Sequence, residues 1–149
     1  MTQEDKELLL KDLSCRLPYG VKAYVKNWSK LEWKYYEGVY TVKSTFPSLN
    51  EVHVQSKTGS VDVLLSHSDY VIKPYLFPLE NMTDEQRKEY EDALVYHDYV
   101  NGGWTMAKTF DDEYVVPYWF VDFCNKHHFD YRGLITMDLA NDATGLNIY

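Results

Sequence analysis

Between Gly20 and Pro78 apolar positions recur at every second residue in short runs separated by turn residues, a pattern that predicts β-strands with one buried face each. Val21-Lys22-Ala23-Tyr24-Val25-Lys26 is the first run, and Asn27-Trp28-Ser29-Lys30 after it reads as a turn. Leu31 to Lys43 is long enough for one bent strand or two, with Gly38 marking a bulge or bend where a Cβ would crowd. Val52 and Val54 alternate in a further strand, and Lys57-Thr58-Gly59-Ser60 forms a hairpin turn leading into Val61, Val63 and Leu65. Ser66 to Tyr70 reads as a single helical turn. Val71-Ile72-Lys73-Pro74-Tyr75-Leu76 is a short last strand that its proline confines to an edge. Five short strands with a helical turn before the last follow the plan of a five-stranded SH3-like barrel, whose closure leaves few free edges.

Helical spacing flanks this stretch. Thr2 and Asp5 form a capping-box-like start, and Leu10, Leu13 and Leu17, widened by Leu9, make an apolar stripe that ends at Pro18 and Gly20. Thr83 with Gln86 starts a second helix with Tyr90, Ala93 and Leu94 on its apolar side, reaching about Tyr96. Asn101-Gly102-Gly103 then breaks regular structure, and Trp104 to Glu113 reads as an acidic loop, expected to be the most mobile segment. Pro117 opens a third helix through Trp119, Phe120 and Phe123 to about Lys126. In the tail, Leu134-Ile135 and Leu139-Ala140 suit either a helical turn or a short strand, and Asn141 to Gly145 reads as a turn. The expected fold class is α+β, one domain over residues 1–149: an N-terminal helix (1–19), a β-barrel (20–78) and a helical C-terminal region (79–149).

With 149 residues, 45% of them hydrophobic and 26% charged, the chain suits one core rather than two. No apolar run approaches the roughly 20 residues that span a bilayer, so no membrane partner is expected. The polar, acidic start from Met1 to Lys6 has no secretory-signal character. Cys15 and Cys124 both fall on apolar helix faces, which reads as two reduced thiols in a cytoplasmic protein, although a disulfide between them stays open at this point. The net charge of −8 and the pI of about 5.0 disfavour an electrostatic grip on nucleic acid. Charge is nevertheless unevenly spread. Six lysines against three glutamates make Gly20 to Ser60 +3, whereas Leu79 to Val115 is −7.

Two end segments carry a resemblance. Glu7 to Lys22, closing on Arg16-Leu17-Pro18-Tyr19-Gly20-Val21-Lys22, and His127-His128-Phe129-Asp130-Tyr131-Arg132-Gly133-Leu134-Ile135 with the trailing Asp142 to Tyr149, are joined by Ile72-Lys73-Pro74-Tyr75-Leu76 ahead of Met82-Thr83. Together they resemble a family of uncharacterised small proteins from gut bacteria and their prophages. That resemblance implies no reaction, cofactor or partner.

Among reactive residues, Cys124 lies three positions before His127, followed by His128 and Asp130. Zinc sites need three or four ligands at characteristic spacing, and no C-x-x-C accompanies these, so no metal site and no cofactor is predicted. Cys124 also lacks a recognisable elbow or oxyanion motif, so no catalytic residue is assigned. Arg132, beside Asp130 and Tyr131, is expected to pin the tail to the body of the protein. Gly102-Gly103 has no phosphate-loop context, and Asp111-Asp112-Glu113 reads as solvated surface.

The aromatic content is the feature that suggests a function. Tyr24, Trp28, Trp33, Tyr35, Tyr36 and Tyr40 crowd the first strands, and neighbours on a strand point to opposite faces, so some must be exposed. The expected binding surface is formed by Trp28, Trp33, Tyr35, Tyr36 and Tyr40 with Lys30 and Lys34, for an unknown protein or peptide partner. The alternative is stacking of single-stranded nucleic acid between the same rings and lysines. A hydrolase using Cys124 or the His127-His128 pair is the third reading.

Overall fold

The computed structural model describes residues 1–29, 34–57, 59–67, 69–100, 107–108, 114–115 and 117–149. Helix α1 (Gln3–Arg16) begins at a full capping box: the Thr2 hydroxyl accepts from the Asp5 amide at 3.1 Å, and the Asp5 carboxylate accepts from the Thr2 amide at 2.7 Å. Pro18 sits in a 3-10 turn that follows, and Gly20 ends it in the left-handed region at φ 66°, where a Cβ is disfavoured.

Five strands come next: β1 (Lys22–Ser29), β2 (Lys34–Phe46), β3 (Glu51–Ser56), β4 (Gly59–Leu64) and β5 (Val71–Leu76). They form an antiparallel meander from β1 to β4, and β5 returns to pair with the free side of β1. Asn27 and Trp28, expected in a turn, are instead the last part of β1, opposite Tyr36 and Tyr35. The bulge also lies elsewhere than expected. Gly38 pairs regularly with Val25, while the register slips between Val42 and Ser44, leaving Lys43 as the extra residue. The hairpin predicted around Gly59 joins Ser56 to Gly59 as β3 turns into β4. In the segment read as a single helical turn, the His67 amide donates to the Leu64 carbonyl at 3.1 Å and the Tyr70 amide to the His67 carbonyl at 3.3 Å, and Ser68 lies outside the described residues.

The expected closed barrel is not formed. The six-stranded sheet runs β4-β3-β2-β1-β5-β8, where β8 (Asn141–Asp142) is a short strand parallel to β5, and the two outer strands do not meet. Pro74 therefore does not leave β5 at an edge along its whole length. β8 joins past the proline, at Tyr75 and Leu76.

What replaces closure is a helix. Leu9, Leu10 and Leu13 of α1 form one buried cluster with Val21, Ala23, Val25, Tyr40, Val42, Val52, Val54, Val61, Val63 and Ile72, the inward positions of the sheet. Each fully buried leucine contributes roughly 1.5–3 kcal/mol of hydrophobic free energy. The sheet curls toward this side. Asn27 on β1 donates from Nδ2 to the Asp62 carbonyl on β4 at 3.0 Å, although β2 and β3 lie between them in the strand order. On a flat sheet three spacings would hold those strands about 14 Å apart.

The C-terminal region contains α2 (Asp84–Val100) and α3 (Tyr118–Lys126). Thr83 and Gln86 form the predicted reciprocal cap at 2.8 and 3.2 Å, and α2 runs beyond Tyr96 to Val100. Within the stretch expected to be a loop, β6 (Ala107–Lys108) pairs antiparallel with β7 (Tyr114–Val115) just beyond it; the rest of Trp104 to Glu113 lies outside the described residues. Phe123, Cys124 and Phe129 make a second cluster with Phe77, Met82, Tyr90 and Phe120, and Leu76, Leu134, Leu139 and Ala140 a third. Cys15 and Cys124 are both free thiols, the first half-buried and the second buried.

Candidate functional site

Among the described residues, two places that gather polar and aromatic side chains stand out. The first is the face of the sheet turned away from α1. Strand alternation sends Val21, Ala23, Val25 and Asn27 inward, so Lys22, Tyr24, Lys26 and Trp28 stand on the other side. Register then fixes the β2 residues beside them: Thr41 opposite Lys22, Val39 opposite Tyr24, Glu37 opposite Lys26 and Tyr35 opposite Trp28. The Trp28 and Tyr35 rings are 4.8 Å apart between centroids and tilted by 51°. Tyr35 is 60% exposed and Val39 43%. The Tyr24 hydroxyl donates to Glu37 at 2.6 Å, which raises the tyrosine pKa and orients the ring between the two ends of the face.

The same alternation corrects two expected site residues. Tyr36 lies opposite Asn27 and packs against the inner cluster, and Tyr40, opposite Ala23, is only 7% exposed within it. Both share the inward side with Gly38 and Val42, so neither belongs to the rim. Trp33 and Lys30 lie outside the described residues, and Lys34 opens β2 opposite Ser29 with its side chain outside them as well. Of the expected surface, Trp28 and Tyr35 are brought together. Lys22 and Tyr24, turned outward by the alternation of β1, complete it with Val39, which only the β1–β2 register places beside Tyr24.

At the Lys22 end of this face lies a depression of about 520 Å³ lined by Lys22, Val39, Tyr40, Thr41, Lys43, Gln55, Ser56 and Lys57. The bulge supplies Lys43, the end of β3 supplies Gln55 and Ser56, and the hairpin supplies Lys57. Lys43 continues the outward series of Tyr35, Glu37, Val39 and Thr41, and the bulge leaves it as the extra residue on this rim.

The second place is a buried joint between α1 and the C-terminal segment. Asp12 and Arg16, one helical turn apart, are both fully buried. Arg16 donates from Nε to Asp12 Oδ2 at 2.7 Å and from Nη2 to Oδ1 at 3.1 Å, a two-pronged pair. Its remaining donors reach the Phe129 carbonyl at 2.8 Å and the Cys124 carbonyl at 3.2 Å. Arg132 Nε lies 3.2 Å from Asp12 Oδ1, with its guanidinium 4.7 Å above the Tyr131 ring. Arg132 thus pairs with Asp12 rather than its neighbour Asp130, whose carboxylate accepts from the Leu134 and Ile135 amides at 2.9 and 2.8 Å. His128 stacks on Tyr149 at 3.8 Å and 11°, and the Tyr149 hydroxyl donates to the Tyr75 carbonyl at 2.7 Å.

Beside the charges of Asp12, Arg16 and Arg132, burial keeps His128, Tyr149 and Cys124 neutral. Burial, reinforced by Arg16, His127 and Lys22, pushes the His128 pKa down to about 4, and burial pushes Tyr149 up to about 12. The Cys124 thiol is likewise pushed up to about 12 by burial, the opposite of what an attacking thiolate needs. His127 turns elsewhere, with Nε2 3.0 Å from Glu89 Oε2 and Nδ1 3.3 Å from Gln86 Nε2, both on α2. His127, His128 and Asp130, close in sequence, therefore have different polar or stacking partners: Glu89 and Gln86, the Tyr149 ring, and the Leu134 and Ile135 amides. Among the described residues no three His, Cys, Asp or Glu side chains gather as metal ligands.

No protein-family model, curated protein or solved structure matches this chain. Among the described residues, no helix is long and apolar enough to cross a membrane.

Proposed function

We propose that the protein is a non-catalytic interaction module that binds a protein or peptide partner through the outer face of its sheet. The observation that carries this is the asymmetry of β1 and β2: one side buries its apolar residues under α1, while the other presents Tyr24, Trp28, Tyr35 and Val39 half-buried or exposed. Rigid aromatic rings on strands bind with little loss of side-chain entropy, and such residues dominate measured binding hot spots. The strand order, with the fifth strand returning to the first, supports reading the curled sheet as an unclosed variant of the SH3-like plan. Cytoplasmic residence and kinship with the gut-bacterial and prophage family are further parts of this proposal, supported by the two free thiols and by the terminal motifs.

Selection of displayed random peptides against the full chain tests the proposal. The expected ligands lose at least about tenfold in affinity on a Trp28→Ala/Tyr35→Ala variant that unfolds at the same temperature as the parent. Ligands held equally well by that variant would overturn it. A second reading, binding of single-stranded nucleic acid, is supported by the alternation of Lys22, Tyr24, Lys26 and Trp28 on one face. It requires affinity that falls steeply with salt.

A further inference from the structure

The outer face is not uniform along its length, and the difference bears on what lies across it. One end is aromatic: Trp28 against Tyr35. The other is the lysine-lined depression, where Lys22, Lys43 and Lys57 converge with Thr41, Gln55 and Ser56 and, among the described residues, no acidic one lines the wall. Lys22 is held by the Ile148 carbonyl, whereas Lys43 and Lys57 are exposed and make no ion pair with the described residues. Two unneutralised ammonium groups beside a third leave a locally positive concavity in a chain whose net charge is −8. From Lys22 to Trp28 is six residues of extended strand, about 20 Å, the span of roughly six residues of an extended peptide.

Resting on the reading of this face as a peptide-binding surface, we infer that the partner is a short extended segment with acidic residues at one end and apolar or aromatic residues at the other. Its carboxylates sit on Lys22, Lys43 and Lys57 and its apolar end packs on Trp28 and Tyr35. Charge complementarity selects this class over nucleic acid. A nucleic-acid strand carries a phosphate at every step and needs positive charge along its whole track. Here the basic concavity occupies one end, and between it and the ring pair Lys26 stands opposite Glu37, so the charge along the middle of the face is offset.

The test uses the full chain and three fluorescent probes: an eight-residue peptide of four glutamates followed by four apolar and aromatic residues, the same peptide with glutamines for glutamates, and a ten-nucleotide oligothymidine. Binding is read by anisotropy at low and at physiological salt. The expected result is that the glutamate peptide binds at least about tenfold more tightly than the glutamine peptide. Lys43→Glu/Lys57→Glu abolishes that preference, and Trp28→Ala/Tyr35→Ala weakens both peptides. Circular dichroism melts establish that each variant folds. Equal binding of the two peptides, both lost with the aromatic pair, would overturn the acidic partner and leave the peptide-binding face standing. Binding of neither peptide overturns both, and oligothymidine bound more tightly than either peptide assigns the face to nucleic acid instead.

Discussion

Helix α1 is held on two sides by opposite kinds of chemistry. Toward the sheet, Leu9, Leu10 and Leu13 bury apolar surface among valines, a non-directional attraction that tolerates small shifts of the helix. Toward the C-terminal segment, Asp12 and Arg16 form a buried pair whose spare donors are taken up by two carbonyls of fixed position. The first side supplies much of the stability. The second specifies which carbonyls, and so which backbone, lie against the helix, because every polar atom taken from water needs a partner in the right direction.

The largest effect should come from splitting the buried pair. Arg16→Met leaves Asp12 buried with only Arg132 beside it and is expected to lower unfolding free energy by about 3–5 kcal/mol in denaturant titrations. The double variant Asp12→Leu/Arg16→Met removes the fully buried pair, leaves Arg132 over the Tyr131 ring with its side chain 18% exposed, and should recover part of that loss. If the double variant is as unstable as the single one, the joint is held by its carbonyl contacts rather than by charge pairing.

Acid should affect the two sides unequally. His128 is neutral in the fold at pH values where it is already protonated in the unfolded chain, because its folded pKa of about 4 lies below the ordinary value of 6.5. The unfolded state then binds more protons, so stability is complete above about pH 6.5 and falls as pH drops toward 4, by about 3 kcal/mol at most. Unfolding midpoints measured from pH 7 to 4 should fall less in His128→Phe, which keeps a ring against Tyr149. A parallel decline in that variant would place the acid sensitivity elsewhere.

The smallest effect belongs to the outer face. Tyr35→Ala changes a side chain that is 60% exposed, and the expected change in stability is within about 0.5 kcal/mol. A larger loss would mean that the Trp28–Tyr35 pair braces the β1–β2 hairpin, and the face would then be structural rather than a surface for a partner.

What the sequence by itself determined are features whose partners lie within a few residues. The Thr2–Asp5 and Thr83–Gln86 caps, the Gly20 stop after Pro18, the hairpin at Gly59 and the inward alternation of Val21, Ala23 and Val25 depend only on local geometry and the period of the chain. Tertiary structure decided the rest. The sheet stays open with α1 packed on its inner face, an arrangement that no strand pattern records. The faces taken by Tyr35, Tyr36 and Tyr40 depend on register with β1, and a shift of one residue would exchange them. Lys22, Lys43 and Lys57 meet because a bulge, a hairpin and a strand start converge. Arg132 meets Asp12 across 120 residues of chain rather than its neighbour Asp130. These are pairings between distant segments, whose choice rests on the summed burial and hydrogen bonding of the whole fold rather than on any local preference.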